Sequence, residues 1–108
     1  MATQEEINEI FPAMVGNLQA DKAADANTTI QFELSGDNGG VYWVTVNNGT
    51  ASHGTGAAEA DLTVKAVADD FHSIVTGSMN PMQAFMMGKI KVTDTNLALK
   101  MINWFDMG

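Results

Sequence analysis

In the segments 30–34, 42–46 and 62–66 apolar residues recur at every second position; from Asp69 they recur every three or four, until Ile90 and Val92 alternate once more. A strand buries alternate side chains and a helix buries one stripe, so these changes of period tell strand-forming segments from helix-forming ones. Ile30, Phe32 and Leu34 alternate with Gln31, Glu33 and Ser35; Tyr42, Val44 and Val46 share a second strand face; Leu62, Val64 and Ala66 share another. Asn48-Gly49 signals a hairpin after the second strand, and Thr50 to Thr55 follows as a poorly apolar strand suited to an edge. Each strand thus has one buried and one wet face, as in a sheet covered on one side only.

The helical parts carry their own punctuation. Thr3 and Glu6 form a capping-box pair ahead of Ile7, Ile10, Phe11, Met14 and Leu18, which keep helical spacing. Pro12 lacks an N–H, so a kink is expected there. Phe71, Ile74 and Val75 form a second stripe, which Gly77 stops. Asn80-Pro81 opens a short helix with Met82, Phe85 and Met86 expected to point inward, ending at Gly88. Ile90 and Val92 alternate with Lys89 and Lys91 in a fifth strand, and Asp94 or Thr95 caps a last helix bearing Leu97, Ala98, Met101, Ile102 and Phe105. The order of helix, four strands, two helices, strand and helix reads as one α+β domain over residues 1–108: a five-stranded sheet with helices packed on one face.

Composition narrows the function. The net charge is −8 and all five basic residues are lysine. Nucleic-acid binding needs a basic field, so that class is excluded, and strong electrostatic attraction to an anionic membrane is not expected. There is no cysteine, hence no disulfide and no thiolate metal site. No apolar run is long enough to span a bilayer. The start, MATQEEINEI, has no basic segment followed by an apolar block, so a cytoplasmic location without a signal peptide is expected. No phosphate loop, HExxH or nucleophile elbow occurs. His53 falls on a polar strand and His72 on a helix flank, too far from other ligands in sequence to suggest a metal. Asp61, Asp69 and Asp70 fit a strand face and a helix start better than an acidic site. No catalytic residue, cofactor or metal is expected.

The stretch Gly77–Lys100 stands out chemically, because five of the eight methionines fall between 79 and 101. Methionine is unbranched and polarisable and repacks around guests of different shape, so this cluster suits either an ordinary core or the wall of a cavity. Lys89, Lys91 and Lys100 supply three of the five positive charges in the last twenty residues, fit for edge protection or for an anionic headgroup.

The segments Ile30–Leu34, Tyr42–Gly49, Ala60–Val64, Asp70-Phe71, Thr76-Gly77, Met79-Asn80-Pro81, Ala84-Phe85, Gly88–Val92 and Leu97–Lys100 resemble, in order and spacing, the sterol carrier protein 2 family of sterol- and lipid-transfer domains, over roughly residues 7 to 105. The resemblance implies an apolar tunnel between sheet and helices, closed in part by the C-terminal helix, that takes fatty acids, acyl-CoA, sterols or phospholipids without catalysis. Under it the expected tunnel lining is Phe32, Leu34, Val44, Phe71, Met82, Phe85, Met86, Leu97, Met101 and Phe105. Lys89 and Lys91 are the expected headgroup contacts, membrane contact is transient, and Trp43 and Trp104 are expected near the surface. An accessory module that presents lipid substrates to a partner enzyme, or an oligomeric interaction domain with a collapsed cavity, are the alternatives. The chain departs from the family pattern at Thr93-Asp94-Thr95-Asn96, where a Gly usually follows the fifth strand, and it ends Asp106-Met107-Gly108 without a peroxisomal tripeptide.

Overall fold

The computed structural model describes residues 2–107. The chain runs α1 (Gln4–Gly16), β1 (Asn27–Ser35), β2 (Gly40–Asn47), β3 (Thr50–Thr55), β4 (Leu62–Val67), α2 (Ala68–Val75), α3 (Pro81–Met86), β5 (Ile90–Val92) and α4 (Thr95–Trp104). The five strands form one sheet in the order β3-β2-β1-β4-β5. All pairings are antiparallel except β1 with β4, whose register sets Ile30 beside Leu62 and Phe32 beside Val64.

The alternation places Ile30, Phe32, Val44, Val46, Leu62 and Val64 on one fully buried face. The other face carries Gln31, Glu33, Trp43, Thr45 and Lys65, all at least partly open to water. β3 is an edge strand with no buried residue. It tolerates Gly54 for a steric reason: a Cβ there would lie 2.4 Å from Cζ2 of Trp43, whose ring covers that position on the neighbouring strand.

α1 seals the β1–β2 half of the inner face. Its start is a complete capping box, with Thr3 Oγ1 accepting from Glu6 N and Glu6 Oε1 accepting from Thr3 N. The helix runs as one element through Pro12 to Gly16. Ile7, Ile10, Phe11 and Met14 are buried. Phe11 lies 4.5 Å from Tyr42, 5.2 Å from Phe32 and 6.2 Å from Phe71, ring centre to ring centre. These rings leave the middle of the sheet solid, and each such pair adds about 0.5–1.5 kcal/mol beyond its area burial.

Candidate functional site

The β4–β5 half of the inner face is covered differently. α2 crosses it first, held by its buried Ala68, Phe71 and Ile74, and stops at Thr76. Gly77 and Gly88 then bracket α3 with φ of +87° and +76°, a left-handed backbone that side-chained residues adopt only with strain. Asn80 starts α3 by accepting from both Met82 N and Gln83 N, at 2.8 and 3.2 Å. Within α3 only Pro81 and Ala84 are buried. Asp94 caps α4 by accepting from Leu97 N at 3.1 Å. Beyond α4, Gln19 N donates to Trp104 O and Asn17 Nδ2 donates to Phe105 O, pinning the end of that helix to the segment after α1.

Between these elements lies a cavity of about 50 Å³. Val64 forms its floor with Ile90 and Val92 of β5; Phe71 and Ile74 come from α2, Pro81, Met82 and Phe85 from α3, and Ala98, Leu99, Met101 and Ile102 from α4. Thr95 and Met107 complete the wall. Apart from Thr95 every lining side chain is apolar, so the space has too few polar partners to hold water well. At roughly 10–15 Å³ per water-sized group, about 50 Å³ gives room for only three to five such groups. It is an apolar pocket of that size, partly open where Met82, Phe85 and Leu99 reach the surface, and the structure does not show the long tunnel expected from the resemblance.

Of the residues expected to line the site, the structure gathers Phe71, Met82, Phe85 and Met101 around the cavity. Phe32, Leu34, Val44 and Phe105 are buried in the core and do not border it. For Phe32 the reason is the ring cluster around Phe11, which fills the sheet at that point. Leu97 faces a separate crevice beside Asp21, Lys22 and Trp104. Met86 corrects the expected inward orientation, being 82% exposed. Trp104 is buried, contrary to expectation, whereas Trp43 is partly exposed on the outer sheet face. Leu99 was not anticipated at all; Ile74, Ala98 and Ile102 stood on their helix stripes, and Ile90 and Val92 on the β5 alternation, without being placed at the site.

The lysines lie on the other side of β5. Lys89, Lys91 and Lys65 border an open groove of about 590 Å³. Lys89 Nζ is 3.8 Å from Asp70 Oδ1 and Lys65 Nζ is 3.9 Å from Glu33 Oε1. The other acids also have structural partners: Asp69 Oδ1 accepts from Ala2 N and Asp61 Oδ2 from Thr29 N. His72 Nε2 lies 3.7 Å from Glu6 Oε2. Thr93 extends the β4–β5 pairing, its N–H donating to Thr63 O and its Oγ1 accepting from Thr63 N. Among the described residues no three His, Cys, Asp or Glu side chains gather as metal ligands, and no helix is long and apolar enough to cross a membrane.

The chain is 32% identical over 95 residues to hydroxysteroid dehydrogenase-like protein 2 of Mus musculus, covering 86% of this chain and 19% of that protein. It therefore spans about a fifth of the length of that relative. Among solved structures, the sec-alkylsulfatase Pisa1 from Pseudomonas sp. shares the fold with a TM-score of 0.76 at 21% identity, over 88% of this chain and 15% of the enzyme. Palmitated SCP2L2 from Aedes aegypti shares it with a TM-score of 0.71 at 24% identity, over 92% and 90%. The model of the SCP-2 sterol transfer family matches residues 7–106, nearly the whole described chain, and the chain belongs to that family.

Proposed function

We propose that this chain is a non-catalytic lipid-binding module that takes an acyl chain or similar apolar ligand between its sheet and the α3–α4 cover. The observation that carries this is the apolar cavity over β4 and β5, roofed by a six-residue helix held between two left-handed glycines. Because the cavity is small, uptake requires α3 and α4 to move outward. α3 is suited to this, since it buries only Pro81 and Ala84 while Met82 and Phe85 stay in partial contact with water. The driving force is apolar burial, about 0.8 kcal/mol per methylene.

The test is a titration of delipidated protein with saturated fatty acids of increasing length. Affinity should rise about fourfold per added methylene until the cover can open no further. Amide exchange across residues 79–88 should change on binding. No uptake, or an affinity indifferent to chain length, would refute the reading. An anionic headgroup left outside would reach Lys89 or Lys91 around the β5 edge, so acyl-CoA affinity should also fall with salt.

The relative in which the matching region is 19% of the length favours a second reading, a module that presents lipid to an enzyme. Native mass spectrometry of protein from its own host separates the two: co-purified lipid alone supports the free carrier, and a bound enzyme supports the module.

A further inference from the structure

We propose that α3 and the turn after it are the element through which this chain docks on a phospholipid bilayer, with Met86 and Met87 entering the acyl boundary. The proposal deepens the lipid-binding reading and rests on it for its biological sense. Seven large apolar side chains are exposed among the described residues, and five of them, Met82, Phe85, Met86, Met87 and Leu99, lie on α3, its end and the facing part of α4. Met86 is 82% and Met87 68% exposed. A soluble chain that leaves its largest flexible apolar groups together in water presents a surface for an apolar medium.

The charge distribution points to a bilayer. No formal charge occurs from Gly77 to Gly88. Over Gly77–Lys100 three lysines face one aspartate, so the chain's −8 divides into +2 here and −10 elsewhere. The molecule is 36 Å long, several times the Debye length of about 8 Å at physiological salt. The tip therefore has no charge to desolvate on entering an apolar medium, and much of the acidic body is screened from a mildly anionic surface.

Size favours the same partner. A stable protein interface uses about 20–30 residues a side, far more than five apolar side chains supply. Interfacial anchoring needs only a few apolar groups and gives weak, reversible attachment. Position agrees too. Met82, Phe85 and Leu99 are exposed and also line the cavity, so docking sets the cavity roof against the acyl chains. A ligand then crosses from one apolar medium to another without a step through water.

The experiment is co-sedimentation of the full chain with vesicles of phosphatidylcholine and phosphatidylglycerol at 4:1 and physiological salt. Wild type should partition to the vesicles, and the double substitution Met86→Asp/Met87→Asp should weaken this at least tenfold. The neutral pair Met86→Gln/Met87→Gln should weaken it in the same direction, which separates apolar insertion from added charge. Both variants should bind palmitate in vesicle-free solution as wild type does, because neither side chain borders the cavity. Equal vesicle binding by wild type and both variants overturns the proposal. So does a wild-type dimer in sedimentation velocity that the substitutions abolish without any vesicle binding, which would assign the patch to a second copy. Vesicle binding without palmitate uptake would instead sink the cavity reading and leave the docking intact.

Discussion

Ala98→Leu should move stability and ligand affinity in opposite directions. Ala98 is buried on α4 and lines the cavity, and the substitution adds three carbons against room for about three to five water-sized groups. Leucine is close to alanine in helix propensity, so α4 itself is little affected. At about 24 cal/mol per Å³, filling a void of about 50 Å³ recovers roughly 1 kcal/mol. For a domain of this size that raises Tm by about 4–8 °C. The same three carbons occupy space that ligand methylenes would use. Three displaced methylenes at ~0.8 kcal/mol each amount to ~2.4 kcal/mol, or about a fifty-fold loss of affinity. Thermal unfolding by circular dichroism reads the first effect, and fluorescent fatty-acid displacement reads the second. A variant that is stabilised but binds fatty acid as before would show that ligands do not use this space. A destabilised variant would show that the space is not there to be filled.

Asn80→Ala removes the side chain that caps α3 twice, and should loosen that helix by about 1 kcal/mol. Faster amide exchange confined to 81–88, with little change in global Tm, is the expected result. Glu6 is held below the ordinary glutamate value of 4.5, first by the Thr3 backbone N–H, then by the Thr3 hydroxyl, with a smaller contribution from His72. A depressed folded-state value means stability that is present above the unfolded value and lost as pH falls through the folded one. Glu6→Gln should therefore flatten the fall of Tm on the acid side of 4.5, and an unchanged slope would exclude this carboxylate. Gly54→Ala forces Trp43 off the β3 edge and should destabilise by about 1–3 kcal/mol with a shift in tryptophan emission.

The sheet was legible because alternation is a local property: β1, β2 and β4 each show their buried face within the strand, whereas β3 has none and was placed by the Asn48-Gly49 turn before it. The caps at Thr3, Asn80 and Asp94 were legible for the same reason, since each bonds within three residues of itself. What could not be read locally was which part of the inner face is filled. Phe32 and Val44 alternate as Val64 does, yet Phe32 meets the rings of Phe11 and Phe71 while Val64 meets a void. That difference is set by where α1 lands, a contact between residues far apart in sequence. Met86 went astray through length. In a six-residue helix, i and i+4 spacing marks no stripe reliably: Met82 and Met86 are both exposed, and only Met82 borders the cavity. Leu97 and Leu99 flank Ala98 on α4, and the stripe alone could not say that the cavity lies on the Leu99 side.

The small size of the cavity bears on how the proposed carrier would work. If the binding-competent state is the one with α3 lifted, the observed dissociation constant is the intrinsic one divided by the open fraction. Two parts of the chain then act on that fraction in opposite senses. The Lys89–Asp70 pair ties the residue after Gly88 to the start of α2 and favours closure, although at 3.8 Å and partly exposed it contributes little. The exposed methionines favour opening wherever an apolar phase can receive them, because the contacts they lack in water are supplied there. A bilayer would raise the open fraction at the place where ligand is available. In water the roof would close again over whatever the cavity has taken. Loading and retention would then need no second signal, only a change of medium at α3.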